Sequence, residues 1–354
     1  MVRRIWNGMA QKGQAALRER FPSAFGFIAP KPHHVQLADY DERTVQQDLK
    51  KHLFELGMWS HNPDDPDKKP KHPVSEIEKA WNAVDAVWGD QVRRASKNGD
   101  PRYPEPVMNH FAYVGKQAVE RLTYRDEVGK LHLLKDLHPR EFQTVVALTI
   151  YHDSHEDDRK HPDHSRRGLF PKERYAQIHH GGEMSIDVPR LTRNIMLISN
   201  EREGVPVPTE QYYREVKGAP DWMVPFAKTL DGQHNVVTLG GLNYKEPNNP
   251  AVVFDKRQRY ISSREAVAMG VQSMSLTLMA EGQDSGIEQR PGQGDDEHFA
   301  PWKVLHRASN MLKDVCRQAR IKYNVPCRQV SSANGSAHPG RPFKDSTFTG
   351  AITK

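Results

Sequence analysis

Apolar residues recur at helical spacing along most of the chain, and this pattern predicts a largely helical protein. It is clearest after Ser75, because residues 75–78 (Ser-Glu-Ile-Glu) form a capping-box sequence and apolar residues follow at helical spacing as far as Val92. Similar spacing predicts helices over 42–58, 107–122, 142–155, 191–198, 212–216, 225–242, 263–280 and 301–323. No series of alternating strands accompanies them, so the sequence predicts an all-α fold.

One predicted helix, 142–155, is apolar on nearly every side. A helix of this kind lies at the centre of a bundle, with neighbours all around it. Polar groups at its carboxyl-terminal end are then forced toward an internal site, because a buried polar group needs a partner. The end of this helix is therefore where the sequence predicts chemistry.

The pattern divides the chain into four regions. Residues 1–73 contain clusters of Pro and His around one helical stretch, and they predict a partly helical N-terminal extension. Residues 74–282 carry most of the predicted helices and form the main domain. Residues 283–327 predict a C-terminal helical segment, and residues 328–354, rich in Ser, Gly, Pro and Lys, predict a flexible tail.

Composition narrows the class of protein. The chain has 354 residues, 36% of them hydrophobic, so it is long enough to bury a core. It contains no apolar run near the roughly 18 residues of a membrane helix, which predicts no membrane contact. Its 51 Lys and Arg are interleaved with 45 Asp and Glu, so the net charge of +6 is weak support for a nucleic-acid partner. The oligomeric state is left open.

Two residue types add to this picture. Cys316 and Cys327 indicate neither a disulfide framework nor a cysteine zinc site, and they favour a reducing, cytoplasmic setting. The 18 histidines raise the expectation of metal binding or acid–base chemistry, because imidazole is the commonest metal ligand and titrates near neutral pH.

Potential metal ligands crowd the end of the central helix, where His152, Asp153, Glu156 and Asp157 fall within six positions. If the helix continues through them, Glu156 follows His152 by one turn and Asp157 follows Asp153 by one turn. Imidazole and carboxylate together make a nitrogen–oxygen site that suits Mn²⁺, Fe²⁺ or Zn²⁺. A solvated, charged helix end explains the same residues equally well.

Two further segments, around His110 and Asp231, complete an ordered set of motifs. With residues 152–153 they resemble the HD-domain metal phosphohydrolases. More narrowly, they resemble the hydrolase domain of RelA/SpoT-type enzymes, which remove the 3′-pyrophosphate of the alarmone (p)ppGpp. The resemblance rests on 91–110 (Gln-Val-Arg-Arg, then Gly-Asp-Pro, then His), 152–157 (His-Asp-Ser-His-Glu-Asp) and 231–238 (Asp-Gly-Gln-His-Asn, then Thr).

The resemblance implies a fold, an activity and a set of roles. It implies an HD-domain helical bundle over roughly residues 75–245 and a hydrolase without a synthetase domain, similar to the small alarmone hydrolases. The implied ligands of a divalent metal, Mn²⁺ first with Fe²⁺ or Zn²⁺ as alternatives, are His110, His152, Asp153 and Asp231. The residues implied to handle the attacking water are Glu156 and Asp157. The implied contacts to a guanosine nucleotide come from Arg93, Arg94, Lys97, Asn235 and Thr238.

Departures from the family pattern keep two other interpretations open. Phe111 stands where the family commonly has proline, Gly232 stands where it has arginine, and the loop from 94 to 110 is longer. A second interpretation is therefore an HD phosphohydrolase acting on another nucleotide, such as NADPH or a nucleoside triphosphate. A third is a degenerate HD fold that acts as a basic nucleic-acid or partner-binding protein and binds no stoichiometric metal.

A separate histidine pair is not part of these motifs. Residues 179–182 (His-His-Gly-Gly) are compatible with a second metal site, with a pocket rim or with an ordinary loop.

Overall fold

The computed structural model describes residues 41–95, 104–155, 163–179, 186–202, 205–241, 250–284 and 297–326. The prediction of an all-α fold is confirmed, since helices dominate these residues. The helices are α1 (Val45–Glu55), α2 (Glu76–Trp88), α3 (Val107–Arg121), α4 (Pro139–Tyr151), α5 (Lys172–Ile178), α6 (Val188–Ile198), α7 (Thr209–Lys217), α8 (Met223–Val237), α9 (Pro250–Asp284) and α10 (Pro301–Lys322).

Short antiparallel strand pairs connect some of the helices. In the described part of the chain they are β1 (Val92–Ala95) with β2 (Pro104–Pro106), β3 (Thr123–Arg125) with β4 (Leu131–Leu133), and β5 (Glu201–Arg202) with β6 (Val205–Pro206). The sequence did not predict them, because two to four residues are too few to show an alternating pattern. The pair β1–β2 matters for the site, because β2 leads directly into α3.

Helix α2 begins as predicted but ends earlier than the pattern suggested. The Ser75 hydroxyl accepts the backbone N–H of Glu78 at 3.1 Å, which is half of a capping box. The Glu78 carboxylate does not return to Ser75; it accepts from the backbone N–H and the hydroxyl of Ser60 at 2.7 and 2.6 Å. The extension of the helix to Val92 was wrong, since α2 stops at Trp88 and Val92 begins β1 with 59% of its surface exposed.

Two helices form the centre of the molecule. Every residue of α8 is buried, and α4 is buried from Thr144 to its last residue, Tyr151. Helices α2, α3 and α6 pack around α4, while α3, α9 and α10 pack around α8. Because both central helices are enclosed, polar side chains within α8 and at the end of α4 face the interior and need partners there.

The remaining sequence predictions have mixed outcomes. Helix α5 was not predicted, and α9 begins at Pro250, before the predicted start at residue 263. Residues 1–40 and the predicted tail at 328–354 lie outside the described residues, and the division into four regions stays a prediction. Across the described ranges, no helix combines the length and the hydrophobicity that a membrane span requires.

Candidate metal centre

Three elements bring four potential ligands together. His110 lies in the first turns of α3, His152 and Asp153 lie in the turn directly after α4, and Asp231 lies in the middle of α8. One ligand atom from each residue lies within 4.8 Å of all the others. We call these four residues the metal cluster. They are the same four residues that the sequence predicted as ligands, and they form a buried group able to hold a metal ion.

The turn after α4 corrects the geometric reasoning behind that prediction. The sequence was interpreted as a helix that continues through His152 and Asp153, whereas α4 ends at Tyr151. The physical reason is that side chains bond the carbonyl groups of the last helical turn. His152 Nδ1 lies 2.7 Å from the Thr149 carbonyl oxygen, and the Ser154 hydroxyl donates to the Tyr151 carbonyl oxygen at 2.6 Å.

The atoms of the metal cluster face one another at short distances. His110 Nε2 lies 2.8 Å from His152 Nε2, 3.0 Å from Asp153 Oδ2 and 3.5 Å from Asp231 Oδ1. His152 Nε2 lies 3.3 Å from Asp153 Oδ2 and 3.8 Å from Asp231 Oδ1. The nitrogen and oxygen atoms of the four side chains therefore lie close enough together to share one cation.

The proton positions support a cation at that point. A carbonyl oxygen only accepts, so His152 Nδ1 carries the proton that it donates to Thr149, and its Nε2 offers a lone pair. If His110 places a proton on its Nε2, that single proton faces three acceptor atoms. A divalent cation satisfies all four atoms, and this combination of imidazole and carboxylate fits Mn²⁺, Fe²⁺ or Zn²⁺.

The charged states of the cluster also suit metal binding. Burial disfavours the ionised form of Asp153, but His152 and His110 hold the pKa of that carboxyl well below its usual range. Burial acts in the same way on Asp231, where Lys228 and Arg264 hold the pKa below its usual range. Burial lowers the pKa of His152, and the Asp153 carboxylate more than offsets this, so the pKa of His152 is raised and a proton competes with a metal ion for its Nε2. Both carboxylates are therefore charged ligands at neutral pH.

A second histidine and a carboxylate lie behind His110, and the sequence interpretation missed their role. His110 Nδ1 lies 2.8 Å from His234 Nδ1, and His234 Nε2 lies 3.4 Å from Glu105 Oε1. His234 and Glu105 are fully buried. Partners of this kind fix the orientation and tautomer of a ligating imidazole. His234 lies three residues after Asp231, hence on the same side of α8, and that spacing was an available signal. Nothing in the sequence pairs Glu105 with it.

The other predicted site residues are placed differently. Asn235 donates to Asp231 Oδ1, so it contacts a member of the metal cluster directly. Thr238 is buried, and its hydroxyl donates to the His234 carbonyl oxygen at 2.9 Å, one turn back in its own helix. Arg93 and Arg94 belong to β1, but their side chains lie outside what the structure describes. Lys97, Glu156 and Asp157 lie outside the described residues altogether.

A second group of polar side chains includes Tyr151, which precedes His152 in the chain; three of its four residues are buried, and the Lys79 side chain is 37% exposed. Lys79 Nζ donates to Glu76 Oε1 at 2.7 Å, His179 Nδ1 donates to Glu76 Oε2 at 2.7 Å, and the Tyr151 hydroxyl lies 3.0 Å from His179 Nε2. We call these four residues the Glu76 network. It accounts for His179, one of the histidines considered for a second metal site; His180 lies outside the described residues.

Compared with family models, with curated proteins and with solved structures, the chain matches none of them. The chemistry of the metal cluster therefore follows from its own residues and from the elements that hold them.

Proposed function

We propose that this protein is a metal-dependent nucleotide phosphohydrolase and that it removes the 3′-pyrophosphate of (p)ppGpp, giving GDP or GTP and pyrophosphate. The observation that carries the proposal is the convergence of two imidazole nitrogens and two carboxylate oxygens within 4.8 Å of one another. The order of the motifs along the chain supports the HD-type resemblance and the choice of a guanosine nucleotide. The proposal includes a cytoplasmic setting.

The residues of the metal cluster would hold a divalent cation. When bound, such a cation supplies Lewis-acid chemistry, because it neutralises charge on phosphate oxygens and makes water acidic enough to attack near neutral pH. The neighbours His234 and Asn235 keep the ligands oriented through contacts to His110 and Asp231. These contacts would hold the ligand nitrogens and oxygens in place for the metal before substrate binds.

Proton transfer in this proposal falls to Glu156 and Asp157. They follow Asp153 by three and four positions in the sequence. A carboxylate there accepts a proton from water as the water oxygen attacks phosphorus. The bond between phosphorus and the 3′ ester oxygen breaks, the ester oxygen takes up a proton, and pyrophosphate leaves.

A substrate assay tests the proposal. Purified protein loaded with Mn²⁺ is incubated with ppGpp, and the nucleotides are separated by anion-exchange chromatography. Wild type should release GDP and pyrophosphate, and chelator or Asp153→Ala should abolish the release. Asp255→Ala is the matched control, because Asp255 is exposed on α9 and pairs only with Arg259 of the same helix.

The same assay separates the alternatives. Parallel incubations contain NADPH and nucleoside triphosphates in place of ppGpp. Cleavage of one of these while ppGpp survives would contradict the alarmone substrate and leave the phosphohydrolase in place. Absence of cleavage together with absence of bound metal would contradict both.

A further inference from the structure

Lys228 lies on the accessible side of the metal cluster. The side chains of His110, His152 and Asp231 are at most 2% exposed, whereas Asp153 keeps 19% and Lys228 keeps 10%. Of these five described side chains, Asp153 and Lys228 are therefore the most accessible to solvent. Asp153 is a carboxylate and repels anions, whereas the ammonium group of Lys228 attracts them.

The ammonium group of Lys228 has donors to spare. It carries three N–H bonds, and Asp231 Oδ2 accepts one of them at 2.8 Å. Its other described contact is the face of the Tyr212 ring, whose centroid lies 5.5 Å away. An ammonium group with N–H donors beyond the one that Asp231 accepts therefore lies beside the metal cluster.

Arg264 is a second buried cation that acts on Asp231. Arg264 of α9 is 7% exposed, and its guanidinium donates to the hydroxyls of Tyr213 and Tyr260 at 2.8 and 2.9 Å. It packs against Gly232, where an added Cβ would lie 3.3 Å from Arg264 Cδ. None of the described carboxylates lies within ion-pair distance of this guanidinium. Lys228 and Arg264 therefore both act on Asp231 and add positive potential where the metal would bind.

We propose that Lys228 binds an oxygen of the phosphoryl group that the metal cluster acts on, and that Arg264 strengthens this phosphate site through its charge. The inference rests on the proposed function, since it assigns the contact for the reacting phosphoryl group. A compact ammonium is a common partner for phosphate, and a hydrogen bond between charged groups is stronger than a neutral one. The competing role for Lys228 is that of a counter-ion that only holds Asp231 in place.

The two roles predict different responses to Lys228→Met, which keeps the length and the apolar stem of the side chain. If Lys228 binds phosphate, the affinity of Mn²⁺-loaded protein for inorganic phosphate should fall by about 10- to 100-fold, the range for losing one charge-assisted hydrogen bond. The affinity for Mn²⁺ should stay the same or rise, because a nearby positive charge has been removed. If Lys228 only holds Asp231, the Mn²⁺ affinity should fall and the phosphate affinity should not change.

Isothermal titration calorimetry measures the Mn²⁺ affinity in metal-free protein, and it measures the phosphate affinity in protein loaded with one equivalent of Mn²⁺ and freed of unbound metal. Lys217→Met is the matched control, because Lys217 is a partly buried lysine of α7 that packs against Gly270 of α9. The control should leave both affinities unchanged, and Lys228→Arg should recover part of the phosphate affinity. If Lys228→Met does not fold, Lys228→Gln takes its place.

The outcomes also separate this inference from the proposed function. Phosphate affinity that depends on Lys228 in a protein that hydrolyses no nucleotide would support the inference and contradict the function. Hydrolysis of ppGpp by wild type, with phosphate affinity unchanged in Lys228→Met, would overturn the inference alone. Failure of the loaded wild-type protein to bind phosphate would also overturn it.

Discussion

The metal cluster and the Glu76 network are two largely buried polar groups that contain adjacent residues, His152 and Tyr151, and only the Lys79 side chain of the second is as much as 37% exposed. In the Glu76 network each donor meets an acceptor: ammonium to carboxylate, imidazole N–H to carboxylate, hydroxyl to imidazole nitrogen. In the metal cluster two imidazole nitrogens lie 2.8 Å apart with carboxylate oxygens beside them, and a single ring proton cannot serve all of these atoms. The first group pairs its donors and acceptors internally, and the second is able to hold a cation.

The comparison teaches that burial of a histidine does not identify a site. His179 and His152 are both almost fully buried, and each has a carboxylate within hydrogen-bond or ion-pair distance. The pKa values move in opposite directions. Burial lowers the pKa of His179 despite Glu76, whereas Asp153 raises the pKa of His152 despite burial. What distinguishes a metal ligand is how donors and acceptors are matched around it.

The largest expected effect comes from removing a ligand of the metal cluster. In His152→Ala, the Mn²⁺ affinity should fall by more than about 100-fold, because even the outer partners of ligands contribute about 10- to 100-fold. Mn²⁺ should raise the melting temperature of wild type, since a ligand that binds only the folded state stabilises it, and should not raise that of the variant. Calorimetric titration and thermal unfolding measure the two effects. Equal Mn²⁺ affinities in variant and wild type would contradict the conclusion that the metal cluster binds metal and the Glu76 network does not.

The next effect tests the Glu76 network. In His179→Ala, Glu76 Oε2 and the Tyr151 hydroxyl lose their partner inside the protein. The free energy of unfolding should fall by about 2–3 kcal/mol, because unsatisfied buried polar groups are costly. Mn²⁺ affinity should not change. Urea unfolding and a metal titration on the same preparation check both, and a large loss of metal affinity would mean that the two groups act as one.

A smaller effect is expected behind His110. In His234→Gln, the ring that orients His110 is lost, so the Mn²⁺ affinity should fall by about 10- to 100-fold. Glu105→Gln should act in the same direction, because Glu105 lies beside His234 Nε2. Metal titration of the folded variants measures the change. Mn²⁺ affinity equal to that of wild type in both would show that His110 needs no support from α8.

The smallest effect belongs to Tyr151→Phe, which removes one hydroxyl of the Glu76 network. The loss should be about 1 kcal/mol of unfolding free energy, the value of a typical hydrogen bond. Although Tyr151 precedes His152 in the chain, Mn²⁺ affinity should stay at the wild-type value. This variant tests whether the two groups act independently although they contain neighbouring residues. A clear drop in Mn²⁺ affinity would show that they do not.

Much of the fold was open to prediction from the sequence. Helical spacing identified α2, α3, α4, α8 and α10 within a few residues, because an amphipathic or wholly apolar helix repeats its pattern over several turns. The sequence did not predict the strand pairs or α5, because segments of two to seven residues are too short to show a periodic pattern. The sequence also failed to predict that α4 ends at Tyr151. Side chains of His152 and Ser154 form hydrogen bonds with the carbonyl oxygens of the last helical turn, and the spacing of apolar residues does not reveal such bonds.

The candidate site was likewise predictable from the sequence only in part. The resemblance to HD-domain phosphohydrolases implied the four ligands His110, His152, Asp153 and Asp231, and the structure brings these residues together. The supporting residues did not follow from the sequence. Lys228 and His234 are separated from Asp231 by one helical turn, but a one-turn spacing alone does not distinguish a functional pair from a solvated helix face.

The sequence by itself determined most of the helices, because helical spacing depends on residue type within short segments, and the order of its motifs indicated the four candidate ligands. Only the tertiary structure decided which polar atoms face one another. It brought Glu105 to His234 and Arg264 to Gly232, and it joined His179 to Glu76. These contacts join residues that are 32 to 129 positions apart and follow from how buried helices pack, and no local pattern encodes that packing.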